Sequence, residues 1–541
     1  MKHNRIFSSS FIAVVVAGLL ISSCGGSQST ESRDAAGAAT SPRLESVIDS
    51  IRTMEQQTGS DSLENVAWSF SGTNTLPANW IVQTHDCFGA SVCDSSVQQE
   101  LMTSTIRDIV ANGEQLVDLS GLAHFPDGGF LDAIVEGARR ADAAGNRPVI
   151  RMLWGNTPAF DIGNSQLFEL QSMIQAAAPN LEVVVVTMAT TPVLNGYEWN
   201  HSKIVAADGR VAFVSGINMW ANDYLRSDSP VTDVGVIVDG PAAAAAQEFL
   251  SAQWRHVCAN LGTGLSYTNN MAPASPLGGC PSGVSVPAPT GSGSTPILSI
   301  GRLGYQTDGK TFARNAQRTV PMAKALTAQC LLPPQPNPNN GDSGWDGRNP
   351  SDTAIRALLA TATQDIVLAG QDIVFSCGIR SEDIRLFETI ADRIVAGVSV
   401  TIVVSNPNAK PSGTVGILKP EGSYSGPDVA ALQKLLKRYV ADRVGAVSAA
   451  ELTCKLLSVA PLRVNETALW PGETGAKGEP ALHTKLYMVD SEAFYVGSQN
   501  LYPNQLTEFG YMIDDADAAS GIRASLLDPI LRYSLPAKAG C

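Results

Sequence analysis

Histidine is scarce in this chain, with six among 541 residues. Charge is thin as well: 37 Lys and Arg stand against 51 Asp and Glu, a net charge of −14. It becomes two units more negative if an N-terminal signal carrying Lys2 and Arg5 is removed. No Lys/Arg run marks the sequence, so the basic footprint of a nonspecific nucleic-acid enzyme is missing and no nucleic-acid partner is expected. There is no Cys-x-x-Cys pair and no clustered Cys/His spacing, which excludes the common structural metal motifs. The apolar run from Phe11 to Ile21 is too short for a permanent membrane span; with Lys2 and Arg5 before it and small residues after, it reads as a secretory signal. An apolar content of 44% over this length still permits a large core, as in a compact secreted globule.

Against that scarcity, two histidines fall into copies of one pattern. His201-Ser-Lys203 is followed by Asp208 and by Ser215-Gly-Ile-Asn218, and His483-Thr-Lys485 by Asp490 and by Gly497-Ser-Gln-Asn500. His, Lys, Asp and Asn all recur at one offset of 282 residues. A single His-x-Lys is usually a solvated strand end, but chance does not readily supply the same downstream Asp and Asn twice. Segments 204–206 and 211–214 flank Asp208-Gly209, and 486–489 and 493–496 flank Asp490-Ser491, so each copy reads as a β-hairpin. Alternation then puts His and Lys on one face. Such a duplicated set suits phosphodiester cleavage: one imidazole attacks phosphorus, the other protonates the leaving oxygen, and two ammonium and two amide groups hold the charged oxygens. Asp208 and Asp490 sit at the turns and are expected to be structural.

The organisation follows the duplication. The first half offers a helix over 129–144, strands at 148–153 and 181–188, the first hairpin, and an alanine-rich helix from Pro241 to about His256. The second offers a helix near 352–363, a strand at 365–369, a helix over 382–396, a strand at 399–405 and a helix from Pro427-Asp428 to Val444. Alternating helices and strands predict α/β layers. Because one motif from each half must meet at a single phosphorus, the expectation is two similar α/β lobes, 43–295 and 296–541, related by a pseudo-twofold, with the site at their interface. The Pro-, Gly-, Ser- and Asn-rich stretches 262–296 and 331–351 read as surface connections or lids. Trp220 and Tyr502 are candidates for the mouth of the site or for plain core. His85, His124 and His256 carry no motif. At the N-terminus, Ile21-Ser-Ser-Cys24-Gly is similar to a bacterial lipobox, with an ordinary cleavage site as the alternative. The segments are then a signal (1–23) and a flexible tether (24–42), and the protein is an envelope lipoprotein anchored by Cys24, or secreted.

The signatures resemble the HKD phospholipase D superfamily in both copies. Within it, Trp199-Asn-His-Ser-Lys203, Ser215-Gly-Ile-Asn218-Met-Trp220-Ala-Asn-Asp-Tyr-Leu225, Pro230-Val-Thr-Asp233, Ala481-Leu-His-Thr-Lys485 and Phe494-Tyr-Val-Gly-Ser-Gln-Asn-Leu-Tyr-Pro503 are most like the secreted phospholipases D of actinobacteria, over nearly the whole mature chain. Two departures stand out: Ser215 where that family usually has Gly, and Glu508 where it usually has Asp. The resemblance implies that His201 is the nucleophile, forming a phosphohistidine, and that His483 is the acid and then the base. Lys203, Lys485, Asn218 and Asn500 would stabilise the oxyanions, so that no cofactor or metal is required. It also points to Asp233 as the carboxylate behind His201 and Glu508 as the one behind His483, each fixing an imidazole tautomer.

Removing Cys24 from nine cysteines leaves eight, an even number suited to an oxidising compartment. Sequence does not fix their pairing; the nearest-neighbour set, Cys87–Cys93, Cys258–Cys280, Cys330–Cys377 and Cys454–Cys541, closes local loops and agrees with the resemblance. The implied activity is hydrolysis of phosphatidylcholine-type lipids to phosphatidic acid and headgroup, with transfer to small alcohols, by a monomer working at a phospholipid membrane surface. The alternatives are a phosphodiesterase acting on another lipid or on nucleic acid, and an inactive lipid-binding lipoprotein.

Overall fold

The computed structural model describes residues 41–541 apart from 60, 157–163, 191–198, 263–268, 270, 273–278, 290, 305–348, 377–379, 410–421, 423, 425, 475–477 and 503–505. The signal, the tether up to residue 40 with Cys24, the Cys330–Cys377 pair and most of the stretch 331–351 lie outside the described residues.

Helix α1 (Pro42–Thr58) begins the described chain, so the expected tether cannot run to residue 42. Ser41 is an N-cap whose hydroxyl accepts from the Leu44 N–H at 3.0 Å, and Pro42, pre-set for a first helical turn, follows it. Leu44, Val47, Ile48 and Ile51 form its buried stripe. Strand β1 (Trp68–Asn74) comes next.

The first half then contributes β2 (Ile81–Gln83), α2 (Ser96–Ala111), β3 (Leu116–Leu122), α3 (Gly128–Ala144), β4 (Val149–Gly155), α4 (Asn164–Ala177), β5 (Glu182–Met188), β6 (Ile204–Ala207), β7 (Val211–Ser215), the short α5 (Ala221–Tyr224), β8 (Val234–Asp239) and α6 (Pro241–Ala259). The second half contributes β9 (Thr295–Arg302), α7 (Pro350–Ala360), β10 (Asp365–Gly370), a small hairpin of β11 (Val374–Ser376) and β12 (Arg380–Glu382), α8 (Ile384–Val395), β13 (Ser399–Val404), α9 (Val429–Val444), α10 (Ala446–Leu456), β14 (Leu457–Pro461), β15 (Lys485–Val489), β16 (Ala493–Gly497) and β17 (Glu508–Asp514).

Apart from the β11–β12 hairpin, these strands form two sheets that share one topology save for the extra β1. The first runs β2-β8-β7-β6-β3-β4-β5 and the second β1-β9-β17-β16-β15-β10-β13-β14. In each, three parallel strands (β3-β4-β5 or β10-β13-β14) carry the layer, and the signature hairpin is added antiparallel to the first of them. The two-lobed α/β class is therefore as expected, but the boundary at residue 43 is not reproduced. Strand β1 pairs antiparallel with β9, and α1 packs on α7, so 42–74 belong to the second sheet's layer. The reason is that β9 would otherwise expose a free edge, and β1 covers it.

Both hairpins turn in the left-handed region, with φ of 56° and 63° at Asp208-Gly209 and 52° and 58° at Asp490-Ser491. That is the turn whose twist matches two-residue hairpins, and Asp tolerates it better than most residues. Each aspartate also caps the start of the parallel strand beside its hairpin. Asp208 accepts from the amides of Glu114, Gln115 and Leu116 at 2.8–2.9 Å. Asp490 accepts from those of Thr363, Gln364 and Asp365 at 2.7–3.2 Å, and from Arg43 at 3.2 Å. Disulfides join Cys87 to Cys93, Cys258 to Cys280 and Cys454 to Cys541. Among the described residues no helix is long and apolar enough to cross a membrane.

Candidate active site

The two signatures meet where the sheets abut, and backbone hydrogen bonds set the meeting. The His201 N–H donates to Thr507 O at 2.8 Å, and the Thr507 N–H to Trp199 O at 3.1 Å. Reciprocally, the His483 N–H donates to Thr232 O at 2.8 Å, and the Thr232 N–H to Ala481 O at 2.9 Å. Each histidine is thus zipped to the residue that precedes the other lobe's acid.

The acid pairing is consequently the reverse of the one inferred from sequence. His201 Nδ1 lies 2.9 Å from Glu508 Oε2, and His483 Nδ1 lies 2.8 Å from Asp233 Oδ2. Each imidazole takes its carboxylate from the opposite half, because a strand end and the histidine beside it belong to different sheets. The carboxylates fix the proton on Nδ1 and direct the chemistry to Nε2.

All eight candidate catalytic side chains are buried: His201, Lys203, Asn218, Asp233, His483, Lys485, Asn500 and Glu508. Lys203 Nζ donates to His201 O at 2.6 Å, and Lys485 Nζ to His483 O, so both ammonium groups are folded back beside the imidazoles. Asn500 Nδ2 donates to Tyr502 Oη at 3.0 Å. Burial lowers His201 to a pKa of about 4; Glu508 opposes the shift, while Lys203 and Lys485 reinforce it. Burial also carries His483 well below its ordinary value, reinforced by Lys485, Lys203 and His201. Burial pushes Glu508 upward, but His201, Arg302 and Lys203 outweigh it and leave the carboxyl below the usual range. With both imidazoles neutral, the buried ammonium groups of Lys203 and Lys485 are balanced by the carboxylates of Glu508 and Asp233 on the Nδ1 side of the rings, and the two cations are the groups able to hold an anionic phosphodiester.

Several partners were not singled out from sequence. Tyr224 Oη is 3.0 Å from His483 Nδ1, and the tyrosine is fully buried on α5. Ser498 Oγ donates to Glu508 Oε2 at 2.6 Å. In the first signature the same place is Gly216, where a Cβ would lie 2.4 Å from Asp233 Oδ1. That in-step Gly/Ser difference was the available signal that the two acids sit differently. Ser215, the other departure, faces Gly235 across the ladder and accepts from the Ile217 N–H at 3.2 Å, so its extra atoms have room. Trp220 is buried against its own lobe, its indole N–H donating to His124 O at 3.1 Å. His85, which carried no motif, is buried with Nε2 2.7 Å from Thr232 Oγ1, directly behind the Asp233 segment.

No family model matches the chain. A curated relative, the phospholipase D of Streptomyces antibioticus, is 34% identical over 530 residues, covering 94% of this chain and 91% of that protein. Among solved structures, a phosphatidylserine synthase of Haemophilus influenzae covers 90% of this chain and 91% of its own at a TM-score of 0.49 and 14% identity. A phospholipase D family member of Salmonella typhimurium, Nuc, covers 28% of this chain and 86% of its own at a TM-score of 0.21 and 10% identity. With that identity to the Streptomyces enzyme along almost its whole length, and with both signatures joined in one buried site, the chain belongs to the phospholipase D family.

Proposed function

We propose that this enzyme cleaves the distal phosphodiester of phosphatidylcholine-type lipids at a membrane surface, giving phosphatidic acid and the free headgroup. The observation that carries the reading is the reciprocal pair of dyads, His201–Glu508 and His483–Asp233, each built across the lobes and each with a lysine against it. His201 Nε2 attacks phosphorus, with Glu508 accepting the Nδ1–H hydrogen bond and stabilising the growing positive charge on the ring. His483, protonated once the phosphodiester anion offsets the two lysines, delivers its proton to the departing alcohol oxygen. Lys203, Lys485, Asn218 and Asn500 hold the non-bridging oxygens. His483 then removes a proton from water, which attacks phosphorus and releases His201. A small alcohol in place of that water yields the transferred ester by the same step.

Export is part of the proposal and is supported by three disulfides among the described residues. Anchoring through Cys24 rests on the sequence alone, as does the monomeric state.

Phosphatidylcholine vesicles incubated with the purified protein in ethanol and a chelator test the reading. Phosphatidylethanol and choline are expected. Failure to form either, with activity on another phosphodiester retained, would move the substrate class to the alternative.

A further inference from the structure

Glu508 lies at the start of β17 directly opposite Arg302, the last residue of β9, in an antiparallel register. Cross-strand partners share a face, so the guanidinium and the carboxylate meet inside the protein, where the two side chains are 1% and 0% exposed. Oε2 is fully engaged by His201 Nδ1 and Ser498 Oγ. Oε1 accepts no hydrogen bond, and the Arg302 guanidinium stands 3.6 Å from it. Arg302 is itself held on both sides. Its Nε donates to Leu506 O at 2.8 Å, and Nη1 reaches the two oxygens of buried Asp352 at 3.2 and 3.3 Å. Asp352 is tied in turn to Asn349 and to Gln499, the residue beside Asn500 in the second signature. In the other lobe the residue facing Asp233 is Thr84, whose hydroxyl accepts from the Asp233 backbone N–H at 3.0 Å. The cation is therefore built into one dyad at a place where the other has a hydroxyl.

From this arrangement we infer that Arg302 is a positioning residue for the His201 dyad: shared between Asp352 and Glu508, it clamps the longer carboxylate so that Oε2 stays on His201 Nδ1. A buried carboxylate needs a partner for each oxygen, and without Arg302 the Oε1 side would favour the protonated acid. The inference deepens the proposed mechanism and rests on it. The charged and titratable groups facing Glu508 are His201 and Lys203 from the first lobe, Arg302 from β9, and Tyr487 and Tyr495 from β15 and β16, with Asp352 of α7 behind Arg302. Of these, Arg302 can be neutralised without touching a group in contact with the substrate.

The test is the pH profile of kcat/KM on phosphatidylcholine vesicles. Arg302→Gln makes protonation of the dyad easier, so the acid limb moves to higher pH by about one unit or more. Arg302→Lys keeps the charge and holds the limb within about half of that change. In a Glu508→Gln background, Arg302→Gln moves the limb no further. A folded Arg302→Gln protein that loses activity equally at every pH, its limb unmoved, overturns the inference. If that variant does not fold, Asp352→Asn reads the same network with opposite sign. It frees the guanidinium for Glu508 and moves the limb to lower pH, and a limb that stays in place is equally fatal. Bis(p-nitrophenyl) phosphate serves as a parallel substrate, so a protein inert to phosphatidylcholine but active on it loses only the substrate reading. A protein that cleaves neither loses both.

Discussion

Swapping the acid partners between lobes makes a prediction that same-lobe pairing would reverse. In Glu508→Gln the amide keeps the shape of the side chain but can no longer take the Nδ1–H of His201 as a charged acceptor at 2.9 Å. A hydrogen bond to a charged group contributes about 1.5–3 kcal/mol, and an amide can also stabilise the wrong imidazole tautomer, as in the triad hydrolases, where the loss reaches about 10⁴-fold. The expected fall is about 10² to 10⁴-fold in the first chemical step. Asp233→Asn does the same to His483, whose Nδ1 is 2.8 Å from the carboxylate. A phosphatidyl ester of p-nitrophenol separates the two cases, because its leaving group departs without a proton. With it, Asp233→Asn should release one equivalent of nitrophenol in a burst and then stall as the phosphohistidine, since His483 is needed to activate water. Glu508→Gln should show a slow first turnover and no burst. The opposite pattern, a burst in Glu508→Gln and none in Asp233→Asn, would refute the combination of crossed pairing with His201 as nucleophile, since it requires Asp233 to serve the attacking imidazole.

Other perturbations have defined signs. Lys203→Ala removes one of the cations beside the imidazoles and should lower kcat by about 10²–10³-fold, the usual cost of an oxyanion donor, with an unchanged melting temperature reporting intact folding. Asp490→Ala strips a buried carboxylate from three amides and Arg43, so it should destabilise by about 2–4 kcal/mol in a denaturant titration while leaving activity per folded molecule nearly intact. Stability should also fall as pH drops below about 6.5. His85 and His201 resist protonation until about 3 and about 4 when folded, whereas the unfolded chain takes up those protons near 6.5. The folded-state values are depressed, so the stability is present above 6.5 and is lost downward from there, by roughly 2 kcal/mol per histidine at pH 5. A flat melting temperature from pH 7 to 5 would contradict that burial.

Much of this architecture was legible because it is written twice. The 282-residue offset carried His, Lys, Asp and Asn together, and the period-two alternation around Asp208-Gly209 and Asp490-Ser491 gave both hairpins. The alanine-rich α6 and the amphipathic α8 were readable as helices from Pro241 and over 382–396, because start signals and apolar stripes are local. Strand β1 was not readable in its place. Its residues pair with a strand more than two hundred positions away, and nothing in 68–74 says which sheet will supply the partner. The same limit hid Arg302, whose role follows only from standing opposite Glu508.

The crossed acids were hidden for a reason of their own, and it bears on how the two dyads differ. Asn218 and Asp233 are fifteen residues apart, whereas Asn500 and Glu508 are eight apart, so the acids fall out of step with the duplication. The additional residues of the first lobe contain α5, which places Tyr224 against His483 Nδ1, a contact for which the shorter second connection has no counterpart in step. The second dyad is elaborated differently: its acid is one methylene longer than aspartate and is met by Ser498 and Arg302. A pseudo-twofold pair of motifs would by itself give two equivalent imidazoles, and the proposed reaction, in which one attacks and the other moves protons, is served by groups that already differ before the substrate arrives. The departures from symmetry therefore sit behind Nδ1, one a phenol at His483 and the other a cation behind the carboxylate of His201. There they can set each ring's protonation without altering the His, Lys and Asn side chains that the proposed mechanism places on the phosphate.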